Sequence, residues 1–357
     1  MNKRPLHQLL KNLLLVALVS IQGFGFAQIG GYSIYKFLDL PTSAREAALG
    51  GTLITGGDFD IGSTLNNPAL ISPKMNGQLA LNYVSYLADI NYGYVATAQP
   101  IKGIGTVVFG MQYVNYGKFN EADPTGLITG SFTPADYSFN MGYAKQLDSN
   151  FTCGGTLKTI YSHLDQYTSI GSAIDLALTY SKPEKFLASS LMIKGIGYQW
   201  TTYVANNHEP LPFQIQWAIS KKLPKAPFRF TLTATHLERW NLTYVDSVNL
   251  PQVLDPTQPV AKPTVVATFA DQLARHMILS VEAYLGQNFV IRLAYNYQRQ
   301  QELKLVGYGS LAGFSLGAGI KISRFTISYG YSQYTIGAGS NHISISTNLN
   351  ELYRRKS

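Results

Sequence analysis

Phe289-Val290-Ile291-Arg292-Leu293-Ala294-Tyr295-Asn296-Tyr297-Gln298 alternates with period two. Phe289, Ile291, Leu293, Tyr295 and Tyr297 share one face, and Val290, Arg292, Ala294, Asn296 and Gln298 share the other. That is the pattern of a strand with one greasy and one mostly polar side. Ala312-to-Lys321 and Phe213-to-Ser220 repeat it, and about fourteen such segments follow one another. They lie near 78–86, 91–99, 104–116, 136–146, 151–161, 169–180, 186–197, 212–221, 227–238, 275–285, 287–297, 310–321, 324–332 and 340–349. Most run about ten residues, the length a tilted strand needs to cross a bilayer, and their number is even. The expected fold is all-β: a transmembrane outer-membrane barrel of about 14 antiparallel strands over residues 78–349.

The connections carry independent information. Those near 100–103, 147–150, 182–185, 222–226, 286 and 322–323 are short, and those near 117–135, 162–168, 198–211, 239–274, 298–309 and 333–339 are longer. Alternation of long and short connections is the rhythm of outer-membrane barrels, with long loops outside the cell and turns in the periplasm. Only the connection near 87–90 is short on the outer side. Within 239–274, Thr268-to-Arg275 reads equally as a short helix or as irregular loop.

Composition agrees. The 357 residues are 46% hydrophobic and only 13% charged, with 24 tyrosines, 17 phenylalanines and 32 glycines. Such a chain is neither disordered nor a coiled coil nor an ordinary cytosolic enzyme. The single cysteine, Cys153, excludes an intrachain disulfide and a cysteine-built zinc site. At the N-terminus, Lys3, Arg4 and Lys11, the apolar run Leu13-to-Val19, and Gly25-Phe26-Ala27 form a signal peptide over 1–27. Its removal would lower the formal charge from +8 to +5, so the charge is not a nucleic-acid footprint.

Residues 28–77 hold no spanning strand. Ser43-Ala44-Arg45-Glu46 opens a short helix, with Ser43 as cap, Glu46 completing a capping box, and Gly50-Gly51 as the stop. Asn66-Asn67-Pro68-Ala69 opens a second, with Asn67 capping and Pro68 in the first turn. The segment is expected to plug the lumen rather than lie outside as a periplasmic arm. Residues 350–357 would form a periplasmic tail, both termini then lying in the periplasm.

Motifs that could carry chemistry have simpler explanations. Gly313-Phe314-Ser315-Leu316-Gly317 has the spacing of a nucleophile elbow, but Ser315 falls within a strand. Ser33-Ile34-Tyr35-Lys36 lacks the companion motifs of penicillin-binding enzymes. Asp58-Phe59-Asp60-Ile61-Gly62 lacks the remaining ligands of a calcium loop and reads as a solvated turn. His163, His208, His236, His276 and His342 have no metal-pair spacing. No catalytic, cofactor or metal site is expected. Lys158, Asp175, Lys194, Glu282, Arg292 and Lys321 fall opposite the apolar face and should point into the lumen, since charge facing lipid at mid-membrane costs about 2–4 kcal/mol. They would pair with one another, face the plug or line a conduit. Basic residues near the short turns, among them Lys102, Lys145, Lys182, Lys221 and Arg324, suit anionic lipid headgroups or a protein partner.

The stretch from Tyr32 to Gly51 resembles the opening of PorQ proteins of the type IX secretion system. The resemblance continues through Asn66-to-Ala69, Leu81-to-Tyr94, Gln112-to-Phe119, Pro183-Glu184-Lys185, Glu209-to-Phe213 and Lys225-to-Phe230. The Asn-Pro-Ala element is also similar to the wider FadL-like group, which carries hydrophobic molecules past an N-terminal hatch. The resemblance implies a non-enzymatic component of type IX protein secretion, acting in export or surface attachment of proteins with C-terminal sorting domains. Outer-membrane lipids and other secretion components or secreted cargo would be its partners, with no nucleic acid. The alternative is a FadL-like channel for uptake of hydrophobic small molecules. A dry apolar pocket under the plug would favour uptake, and exposed apolar residues on loops 198–211 or 239–274 would favour docking. One departure is the tail: Leu349 is followed by Asn350-to-Ser357, whereas outer-membrane barrels commonly end on an aromatic residue of the last strand.

Overall fold

The computed structural model describes residues 33–56, 60–243, 265–303, 311–335 and 337–353. Its first strands are β1 Gln78–Ser85, β2 Asn91–Ile101, β3 Gly105–Asn115, β4 Phe119–Ala122, β5 Ile128–Phe132 and β6 Ala135–Gln146. Then come β7 Phe151–Leu164, β8 Tyr167–Lys182, β9 Leu187–Thr201, β10 Gln214–Lys222 and β11 Phe228–Ala234. The last are β12 Met277–Leu285, β13 Phe289–Asn296, β14 Phe314–Ile322, β15 Phe325–Thr335 and β16 Ala338–Asn348. Fourteen of these close into one antiparallel barrel, β1 pairing with both β2 and β16, while β4 and β5 form a separate hairpin.

Burial along the strands is inverted relative to a water-soluble protein. Phe139, Leu279, Leu293 and Leu316 are exposed, whereas Lys158, Asp175, Lys194, Glu282 and Arg292 are buried. An apolar outer belt around a polar interior is the arrangement that lipid demands, because every backbone group is satisfied between strands and the greasy side chains face acyl tails. Among the described residues no helix is long and apolar enough to cross a membrane.

Several connections differ from their sequence reading. The supposed loop 162–168 is a two-residue turn, because β7 and β8 stay paired from Phe151↔Tyr180 to Leu164↔Tyr167. Likewise β15 and β16 pair out to Thr335↔Ala338, leaving no long loop at 333–339. Residues 117–135 contain the β4–β5 hairpin, joined by an Asp123-Pro124-Thr125-Gly126 turn and stacked through Phe119 and Phe132 at 5.7 Å. Besides short 3-10 turns, the described residues hold four short α-helices: α1 Ala44–Ala48, α2 Val265–His276, α3 Tyr297–Leu303 and α4 Leu349–Tyr353. Helix α2 decides the open question within 239–274, α3 replaces the start of the 298–309 loop, and α4 begins the tail.

Candidate functional site

The described residues before β1, 33–56 and 60–77, lie inside the barrel, and their path is set by contacts at successive depths. At the long-loop end, Ile34 N donates to Pro210 O at 3.0 Å, and the Tyr35 and Ser169 hydroxyls meet at 2.5 Å. Ile34, Tyr35, Phe37 and Leu38 pack against Val84, Tyr92, Val114, Ile160 and Leu211, filling that end with apolar side chains. The first described residue, Ser33, therefore lies at the long-loop end, and α4 follows β16 at the short-turn end; the expected periplasmic N-terminus falls on residues that lie outside the described ones.

Deeper in the lumen sits α1. Ser43 Oγ accepts from Glu46 N at 3.2 Å, as a cap should. The Glu46 carboxylate accepts from Thr42 N at 2.7 Å and also from the backbone N–H of the cap residue Ser43, the return bond of a capping box. Gly50 and Gly51 have φ of 94° and 101°, and their N–H groups reach Ala47 O at 3.2 Å and Glu46 O at 3.0 Å. This is a Schellman stop, which glycine adopts without steric cost. Arg299 on α3 then donates to Gly50 O at 3.2 Å, setting a cation at the helix's carbonyl end. The wall accepts α1 because it is small there. Ala44 N donates to Ser344 Oγ at 2.8 Å and Ser332 Oγ donates to Ala47 O at 2.9 Å, while a Cβ on Gly330 would lie 2.2 Å from Ala44 O. Ser315 belongs to the same seat, within 3.1 Å of Ser332 Oγ and 3.4 Å of Arg299 Nη1.

Two groups of buried charges pair internally. Glu282 on β12 accepts from Arg45 Nε at 3.0 Å and Nη2 at 2.9 Å, Arg229 Nη1 at 3.1 Å, Arg292 Nε at 3.1 Å and the Tyr284 hydroxyl at 3.2 Å. Arg45 Nη1 also lies 3.7 Å from Asp60 Oδ2. Asp60 is thus an ion partner inside the plug and caps Gly62 N at 2.9 Å, and residues 57–59 of that turn lie outside the described residues. The second group is Lys158 and Asp175, with Nζ 2.6 Å from Oδ2 as a direct charge contact, while Asp175 Oδ1 accepts from Gly195 N at 2.8 Å. Lys194 donates to Asn66 Oδ1 at 3.4 Å. Asn67 Oδ1 caps Ala69 N at 2.8 Å and its amide donates to Thr179 Oγ1 at 3.1 Å, so Asn66-Asn67-Pro68-Ala69 docks onto β8 and β9. The turn after it is a single 3-10 turn, Pro68–Leu70, shorter than the helix its sequence predicts. Lys321 has lumen-side parity on β14 but sits exposed at the short-turn mouth. Arg229 was not among the expected residues; its place between Phe228 and Phe230 is the alternation signal that marks it as inward-facing.

Burial pushes the Glu46 carboxyl up to about 7, opposed by nearby Lys194 and by the Thr42 hydrogen bonds. Beneath the plug lie two cavities of 510 Å³ and 740 Å³, both bordered by Arg45, Asp60 and Lys74. The larger has a mixed wall, with Leu53, Ile71, Met75 and Phe186 beside Lys145, Lys222 and Arg229. Neither is the dry apolar pocket expected of a simple uptake site. On the long-loop side Val204, Trp240, Phe269 and Leu273 are exposed, with the Trp240 and Phe269 rings 5.1 Å apart.

No protein-family model matches the sequence, and no curated protein does. Among solved structures, the chain is similar to the Pseudomonas putida toluene transporter TodX, at a TM-score of 0.46 and 11% identity over 86% of this chain and 96% of that one. It is similar to a Pseudomonas aeruginosa FadL homologue at 0.44 and 9% identity, over 90% and 100%. The NanC porin is more distant, at 0.28 and 11% identity over 76% and 98%.

Proposed function

We propose that this chain is a plugged, non-enzymatic outer-membrane barrel serving type IX protein secretion through contacts made at its rims. The observation that carries the reading is the occupied lumen: Ile34–Leu38 fill the long-loop end, Arg45 anchors α1 to Glu282, and Asn67 docks the next turn on Thr179. A bore filled by its own chain leaves the rims to meet partners. The resemblance of residues 32–51, 66–69 and 81–94 to PorQ proteins supplies the secretion context, with cargo bearing C-terminal sorting domains or other secretion components as partners. Exposed Trp240 and Phe269 support docking on the long-loop side, since exposed apolar side chains clustered on a loop suit protein contact. Shortening loop 239–274 to a tight turn tests this reading. The barrel should still fold but display less sorted cargo, and full display with that loop removed would refute the docking role.

The second reading is a FadL-like channel for uptake of hydrophobic small molecules. It is favoured by the apolar Ile34–Leu38 cluster, which a greasy ligand could displace, and by the partly apolar 740 Å³ cavity below. The structurally similar barrels include a toluene transporter and a monoaromatic hydrocarbon channel. On this reading the strain lacking the protein would fail only on a hydrophobic growth substrate.

A further inference from the structure

The lipid-facing belt has a hollow in it. On the outer face of β9–β14 a groove of 580 Å³ runs from Leu187 and Lys221, at the short-turn ends of β9 and β10, to Tyr295 and Phe314, at the long-loop ends of β13 and β14. Cross-strand pairing sets Val281 between Phe230 and Leu293, so a short side chain lies between two long ones. Phe230 and Leu293 stand out at 47% and 52% exposed, while Val281 is half-buried at the floor. Among the lining residues the one charge is Lys221, in the outward register of β10 between Leu187 and Phe230. A lysine so placed lays its stem on apolar neighbours and raises its ammonium to the membrane surface. Lys221 Nζ spends one of its three donors on Lys185 O, at 2.7 Å. The two turns beside it are tied together by Lys222 N and Phe186 O at 3.0 Å. Residues 182–187 and 221–228 carry five lysines against one carboxylate, Glu184. Lys222 turns inward, its Nζ 4.6 Å from the Tyr284 ring, and the other four remain on the rim.

We propose that this groove holds one anionic phospholipid of the leaflet at the short-turn end. An acyl chain lies along the groove, and the headgroup phosphate accepts from Lys221 Nζ in the field of Lys182, Lys185 and Lys225. The occupant is a lipid because the groove opens on the membrane side of the wall, and its single charged border is a cation at the membrane surface. Its volume falls within the range of about 300–1,000 Å³ that small-molecule sites occupy. The inference holds under either reading of the barrel's role, since it needs only that the strands cross a membrane.

Native mass spectrometry of the folded barrel, released from micelles containing phosphatidylglycerol or phosphatidylcholine with the same acyl chains, tests it. The parent should retain one phosphatidylglycerol at about tenfold lower lipid concentration than phosphatidylcholine, the worth of one charge-assisted contact. Lys221→Gln, on the barrel's outer surface, should abolish that preference. Val281→Trp fills the floor of the groove from the lipid side and leaves the lumen untouched. It should weaken retention of both lipids by roughly tenfold while the heat-modifiable band on gels shows a folded barrel. Equal retention of the two lipids by the parent, a preference that survives Lys221→Gln, or unchanged retention in folded Val281→Trp would overturn the proposal.

Discussion

Arg45 on the plug forks onto Glu282 on the wall, with Nε–Oε1 at 3.0 Å and Nη2–Oε2 at 2.9 Å, joining residues 237 positions apart. The pair is buried and two-pronged, so it fixes the orientation of α1 as well as its depth. Arg229 and Arg292 converge on the same carboxylate, which makes Glu282 the hub and Arg45 one of three spokes.

That asymmetry orders two variants. Glu282→Gln leaves three guanidinium groups facing each other and should cost about 3–5 kcal/mol, the range for breaking a buried pair. Arg45→Met should cost less, because Arg229 and Arg292 still neutralise Glu282. The thermal midpoint of the folded, heat-modifiable band on gels measures both. Equal midpoints for the two variants would show that Glu282 is not the hub.

The second charge group behaves differently. Lys158→Met strands Asp175, which has no exposed surface, and should destabilise by about 3–5 kcal/mol. Adding Asp175→Asn should recover part of that loss, because an amide oxygen can still accept from Gly195 N. Urea unfolding in lipid vesicles reads the difference, and a double variant less stable than Lys158→Met contradicts it.

Why these residues could be found in the sequence, and others could not, follows from the range of the forces involved. Lys158, Asp175, Glu282 and Arg292 are legible because a period-two strand sends them to one face and lipid forbids the other. Arg229 obeys the same rule but sits in the seven-residue β11, too close to a turn for the alternation to stand out. The extra length of β7 and β8 is hidden because Ser162-His163-Leu164-Asp165-Gln166 reads as polar loop. Only the cross-strand pairing to Leu164↔Tyr167 shows that the strand continues. The caps Ser43 and Asn67 are local and therefore readable. The route of Ile34–Leu38 to the long-loop end is decided by partners such as Ile160 and Leu211, far along the chain, and no local pattern encodes it.

Close packing of α1 on the wall gives a steric test. Gly330→Val would drive a Cβ into the Ala44 carbonyl, which lies 2.2 Å from that position and is backbone rather than a flexible side chain. The barrel should still assemble, but with its plug displaced and its ion conductance in planar bilayers raised above that of the parent. Conductance equal to the parent's would mean that α1 does not close the bore.

Glu46 gives the plug a pH dependence. Burial raises its carboxyl from 4.5 to about 7, so between those values the folded state holds a proton that the unfolded state has released. This contribution to stability is fully present below pH 4.5, declines as pH rises and is lost above about 7. Glu46→Gln should flatten that slope while keeping an oxygen for Thr42 N. Protease protection of the plug, compared between the two proteins across this pH range, checks the sign. Protection that rises with pH in the parent contradicts it.

The most direct test is deletion of the gene, followed by blotting surface and periplasmic fractions for proteins with C-terminal sorting domains. A barrel that serves export through its rims should leave such cargo in the periplasm and strip it from the surface, whatever carbon source is supplied. Normal surface display in the deletion strain would contradict a role in secretion, and a growth defect confined to hydrophobic substrates would instead assign the barrel to uptake.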